Sequence, residues 1–264
     1  MPAILNISTY RFVPLDDLPA LRERLHQAAE ARGLKGTVLI AEEGINLFLA
    51  GAAEAVRGWL QALDDDPRLA GLPAKESWSE AVPFQRLKVK IKREIIRMNH
   101  PTIRPAAGRA PAVAPATLAR WLGQGHDDEG REVVTLDTRN GFEVDAGSFA
   151  GTIDWRLSRF SEFPAALDAH LDALRDKTVV SFCTGGIRCE KAAILMQERG
   201  LSHAFQLEGG ILKYFEETDG RAPGWLGGCF VFDERVALEP SLAPAPAPAP
   251  APASSPDAAP ATPA

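Results

Sequence analysis

Cysteine is scarce, with three residues in a chain of 264. So small and odd a number argues against the disulfide framework that staples secreted domains, and it fits a reducing compartment. Histidine is nearly as scarce. Its five copies (His26, His100, His126, His170 and His203) are scattered, and none stands at a metal-ligand spacing from a cysteine, so no metal site is expected. No apolar run approaches the ~18 residues that a membrane-spanning helix needs. Met1 to Tyr10 also lacks the charged-then-apolar pattern of a secretory leader. The expectation is a cytoplasmic protein with no membrane partner. Positive charge is not in excess either: the formal net charge is −6, so any contact with nucleic acid has to come from a local patch.

Apolar residues are well represented, at 45%, and the length suffices for two modest domains plus a tail. One stretch stands out for its chemistry. Thr178 to Phe182 is a β-branched apolar run that reads as a buried strand. Cys183-Thr184-Gly185-Gly186-Ile187-Arg188 reads as a tight loop, and Cys189 to Arg199 as a helix with apolar positions at Ala192, Ala193, Leu195 and Met196. Backbone N–H groups at a helix start lack internal acceptors and form a cradle for negative charge. Gly185 and Gly186 let several of them face one point, and Arg188 adds a positive charge. A sulfur centred there should be a thiolate near neutral pH, hence a nucleophile or a carrier of an anionic persulfide. The alternative is a structural core cysteine, which has no need of two glycines and an arginine within five positions.

Cys-x-x-x-x-Arg between a strand and a helix resembles the active-site loop of the rhodanese family, in which the cysteine carries sulfane sulfur as a persulfide. Around it, strands at Glu132 to Asp137, Thr178 to Phe182 and His203 to Leu207 alternate with helical segments, which predicts a parallel sheet with helices on both faces. The Asp137-Thr138-Arg139 run with Glu143, Gly147, Phe149 and Gly151, and the later Glu208-Gly209-Gly210-Ile211, are also similar to rhodanese patterns. Asp137 and Arg139 lie past the carboxyl end of a strand, where ligands bind in such sheets. Pairing with one another is the favoured reading, and an accessory role in the site is the other.

The amino-terminal part reads strand, helix, strand, strand, helix, strand: an α+β ferredoxin-like (split β-α-β) domain over residues 1–98. Leu87 to Arg97 is expected to be extended, with Lys88, Lys90 and Lys92 on one face and Leu87, Val89 and Ile91 on the other. That row, with Arg93 and Arg97, is either a solvated edge strand guarded by lysines or a phosphate-binding surface for nucleic acid. Residues 99–115, rich in proline, are expected to be an irregular linker. An α/β rhodanese-like domain over 116–222 follows. Residues 223–239 read as a short strand segment, in which Cys229 lacks a basic neighbour and is taken as structural. Residues 240–264, alternating Ala and Pro, read as a disordered tail.

Taken together, Glu43-Gly44-Ile45-Asn46, the lysine-rich strand, Cys183 to Lys191 and the closing Gly228-Cys229-Phe230-Val231-Phe232-Asp233 resemble the rhodanese-domain tRNA uridine hydroxylases, from Met1 to about Val236. The resemblance implies oxygen-dependent conversion of the wobble uridine of tRNA to 5-hydroxyuridine, with Cys183 matching the family's essential cysteine. It also implies molecular oxygen and an unidentified electron donor, since no pattern for a flavin, haem or iron cofactor is evident. Cys189 has two readings. As a helix-start thiol of lowered pKa it resolves an oxidised Cys183, or its S–H assists the loop, which is favoured. Two other functions stay open: a sulfurtransferase using a Cys183 persulfide, and a non-catalytic tRNA-binding module.

Overall fold

The computed structural model describes residues 3–245. The chain builds two sheets with separate cores. The first has the order β4-β1-β3-β2-β5, from β1 (Ile4–Phe12), β2 (Lys35–Ala41), β3 (Gly44–Ala52), β4 (Lys75–Ser79) and β5 (Leu87–Ile91). All its pairs are antiparallel except β2 with β5. Helices α1 (Leu18–Glu30) and α2 (Ala53–Leu63) supply Leu21, Leu25, Val56 and Trp59, which pack on Leu5, Ile7, Val38, Ile40, Leu47 and Leu49. These strand residues alternate, so one face of the sheet is buried under helices.

The other face is free of helices, and strand register decides what stands on it. Lys75 pairs with Ser8, Ser8 with Phe48, Phe48 with Thr37 and Thr37 with Lys88. Paired residues project to the same side of a sheet. A line of side chains therefore crosses all five strands from Lys75 on one edge to Lys88 on the other. Tyr10 with Asn46, Leu39 and Lys90 forms the next line.

The second sheet has the order β6-β11-β10-β7-β9 and is parallel throughout. Its strands are β6 (Ala112–Val113), β7 (Val133–Asp137), β9 (Ile153–Asp154), β10 (Thr178–Phe182) and β11 (Ala204–Leu207); β8 (Gly147–Phe149) lies outside it. On one face, α5 (Phe163–His170) and α6 (Ile187–Glu198) pack on Leu136, Val179 and Ala204. On the other, α3 (Pro115–Gln124) and α7 (Gly210–Glu217) pack on Val180, Phe182 and Leu207. Helix α4 (Gly141–Val144) is a single turn. Strand β12 (Trp225–Gly227) pairs with β8, and β13 (Cys229–Phe230) with β14 (Ala237–Leu238). No helix among the described residues is long and apolar enough to cross a membrane.

Four expectations need correction. Residues 99–115 are not an irregular linker: they hold a 3-10 turn at Pro105–Ala107 and edge strand β6, and bury Ile103, Ala110 and Val113. Their carbonyls at Pro111 and Val113 accept from Gln206 and Glu208, so the missing proline N–H leaves no ladder bond unmade. Strand β5 stops at Ile91, which is 42% exposed, and Lys92 onward turns toward the second sheet, where Ile95 is buried. Helix α6 starts at Ile187 rather than Cys189, after Gly186 in the left-handed conformation. The tail does not leave the fold at 240: Leu242 packs on the second core, and the Ala245 N–H donates to Ala237. Its remainder, 246–264, lies outside the described residues.

Candidate active site

Cys183 follows β10 directly and is fully buried at the floor of a cavity of about 310 Å³. The helix-free face of the first sheet roofs that cavity with Ser8, Tyr10, Asn46, Phe48 and Lys75; Arg97, Arg159 and Phe232 stand among its other lining residues. The floor is held from below. Gly210, at a φ of 68°, brings the start of α7 under the loop, so that Ile211 N–H donates to Cys183 O and Leu212 N–H to Thr184 O. A Cβ on Gly210 would stand 2.4 Å from Cys183 O, so only glycine fits.

The Gly186 N–H donates to Cys183 Sγ at 3.2 Å. Burial alone would raise the Cys183 pKa, but the Cys189 thiol, the Arg188 charge and the N–H groups of Arg188 and Gly186 outweigh it and lower the value to about 5. Cys189 moves the other way. Burial and the neighbouring Cys183 thiolate raise its pKa, so the lowered value expected for a helix-start thiol is overturned. Its sulfur lies 3.6 Å from Thr138 Oγ1. Cys229 is fully buried and pushed up to about 12, chiefly by burial.

Each charged residue at the start of α6 has its own partner. Arg188 forms a bidentate pair with buried Glu143, at 2.6 and 2.7 Å, so its charge reaches Cys183 partly balanced. Glu190 accepts from Tyr10 Oη at 2.9 Å and from Arg109. Lys191, 2% exposed at its side chain, donates to Glu43 and Glu94 and to Ile96 O. Glu43 and Glu94 belong to the first sheet and the segment after it, so α6 clamps the two halves around the loop. Ala41, Ile95 and Ile187 form a small apolar cluster at the same junction.

Lys75 escaped the sequence reading. Its Nζ donates to Gly185 O at 3.1 Å and lies over the Tyr10 ring. Burial lowers its pKa, with the negative charge of Cys183 opposing. Tyr10, raised well above an ordinary phenol by burial and then by Glu190, stays protonated. The signal for Tyr10 was parity: on β1, Ser8 and Tyr10 alternate with the core residues.

The other sequence candidates separate. Thr184, Gly185, Ile187, Arg188 and Arg97 line the Cys183 cavity. Lys88 lines an adjoining groove with Arg86, while exposed Lys90, Lys92 and Arg93 line neither. Asp137 and Arg139 are wholly buried and pair with each other at 2.6 Å, and Arg139 also donates to Glu143 O and Gly147 O. They brace the loop after β7 and are not among the cavity lining. Among the described residues, no group of three or more His, Cys, Asp or Glu is placed to hold a metal ion.

Residues 4–95 match the UPF0176 acylphosphatase-like domain model. The rhodanese-like domain of an Anabaena protein aligns over 44% of this chain and 79% of its own, at 18% identity and a TM-score of 0.35. The tRNA uridine(34) hydroxylase of Delftia acidovorans is 68% identical over 243 residues, 92% of each chain. That of Bordetella petrii is 67% identical over 92% of this chain and 96% of its own. Identity of this order, sustained across both sheets and the cleft between them, means that the chain belongs to the tRNA uridine(34) hydroxylase family and is an enzyme.

Proposed function

We propose that the protein hydroxylates uridine 34 of tRNA to 5-hydroxyuridine, with Cys183 as the nucleophile. The observation that carries this reading is a thiolate at the floor of a cavity near the lower end of the ~300–1,000 Å³ range of ligand sites, with Arg97 and Arg159 among its lining residues. It has room for one nucleoside, extruded from the anticodon loop.

The thiolate adds to C6 of the uracil, forming a C6–S bond and placing the electron pair on C5 and O4 as an enolate. The Lys75 ammonium lines the same cavity as Cys183, and its role is to stabilise that charge by hydrogen bonding to O4. C5 then acquires the hydroxyl oxygen. Loss of the C5 proton and cleavage of C6–S restore the double bond and release the thiolate. The net change is a two-electron oxidation. Molecular oxygen with an external two-electron donor balances it, one oxygen atom entering the base and the other leaving as water. The protein's share is to bind and activate the base, exclude water and hold the negative charge.

The test is mass spectrometry of tRNA nucleosides from cells lacking the protein and complemented with wild type or Cys183→Ser. Wild type should restore 5-hydroxyuridine-derived nucleosides, and Cys183→Ser should leave them at least a hundredfold lower. Restoration by both would mean that the cysteine is not the nucleophile. If wild type restores none but the protein transfers sulfur from thiosulfate, the chain is a sulfurtransferase.

A further inference from the structure

The Cys183 cavity holds one nucleoside, so the nucleotides on either side of the target have to lie outside it. Phe142 and Phe232 are two of the few exposed large apolar residues, at 50% and 49%, and Phe232 lines the cavity. With Phe230 they form a cluster of rings set edge to face: centroids lie 5.2 Å apart for Phe142 and Phe230, 5.3 Å for Phe230 and Phe232, and 6.5 Å for Phe142 and Phe232. Such contacts fix the ring planes and leave half of each outer ring open. Thr184 Oγ1 donates to Phe230 O, tying this cluster to the Cys183 loop.

Phe232 also lines a second groove, of about 420 Å³, which Arg86 and Lys88 line as well. Of the acidic residues there, Asp233 is paired with Arg235, and Glu234 is the remaining carboxylate. An aromatic surface thus stands between a nucleoside-sized cavity and a cationic groove, the arrangement that single-stranded nucleic acid requires.

We infer that Phe232, braced by Phe142 and Phe230, is a stacking platform for the base adjacent to the target uridine, with the phosphate of that nucleotide directed toward Arg86 and Lys88. This rests on the proposed reading of the substrate as an RNA loop. It gives the closing Cys229 to Asp233 segment a function outside the rhodanese-like sheet.

Two anticodon stem–loop RNAs test it, each carrying 2-aminopurine on one side of the target uridine. Wild type should quench one of them. Phe232→Leu, which keeps the apolar volume, should abolish the quenching and weaken binding about five- to a hundredfold, the loss appearing in KM rather than kcat. Phe232→Trp should retain both. If Phe232→Leu fails to fold, Phe142→Leu, at a ring outside the cavity, gives the same readout. Quenching and affinity unchanged in the leucine variants, or lost equally with leucine and tryptophan, would overturn the platform. Nucleoside analysis of the complemented cells separates the two claims: wild type that quenches the RNA but restores no 5-hydroxyuridine in cells, where oxygen and reductant are supplied, refutes the hydroxylase reading alone.

Discussion

Cys183 was legible because everything that activates it lies within six residues of it along the chain: the strand end, two glycines, Arg188 and Cys189. Lys75 was not, because its partner Gly185 is 110 residues away and nothing around Lys75 marks it. The two residues make a joint prediction. A thiol lowered to about 5 is protonated below that pH and ionised above it, so the acid limb of kcat/KM should lie near pH 5, with a plateau above. Lys75→Met removes the facing cation. The limb should then move to higher pH, and the plateau should fall about ten- to a hundredfold. A fall in rate with an unmoved limb would show that Lys75 does not act on the thiolate.

Helix α6 shows what element-level reading captures and what it omits. Ala192, Ala193, Leu195 and Met196 are buried where helical spacing put them. Glu190 and Lys191, charged and outside that apolar set, are buried too, because Tyr10, Glu43 and Glu94 arrive from the other half of the chain to meet them. Hydrophobic periodicity reports on a helix's own sheet and is silent about a second domain pressing on its first turn. Breaking a buried ion pair leaves its partner charges uncompensated. Lys191→Met should therefore destabilise the protein by about 3 kcal/mol, or roughly 6–12 °C in Tm, and adding Glu94→Gln should restore part of the loss. An unchanged melting curve for Lys191→Met would mean that α6 does not clamp the halves. The proline-rich stretch gave the opposite error: prolines read as a breaker, but Pro111 borders an edge strand and meets the ladder through its carbonyl, which needs no N–H.

Over the whole molecule, the order of the two folds could be read from the sequence, but not the cleft between them. Ser8, Tyr10, Asn46 and Phe48 alternate with core residues in the way a solvent-facing side does, and only the packing of the second sheet opposite turns that side into a wall. The basic cluster was likewise legible as a composition and not as a map. With a net charge of −6, RNA affinity should depend on where cations stand relative to the cavity. Lys88→Gln and Arg97→Gln should each reduce the slope of log K against log[salt] by about 1, whereas Lys92→Gln and Arg93→Gln should change it little. Equal effects at all four positions would indicate a diffuse surface instead of a track.

A low-pKa thiolate is ordinarily the first target of disulfide exchange with glutathione. Cys183 lies at the bottom of a well shaped for a single nucleoside, with a roof supplied by another domain and held down through Lys191. A tripeptide disulfide should therefore react with it more slowly than its low pKa alone would give, a rate that thiol titration with oxidised glutathione measures. On this reading the walls that choose the substrate also shield the nucleophile, and loosening the docking of the two domains, as Lys191→Met should, would raise its rate of glutathionylation.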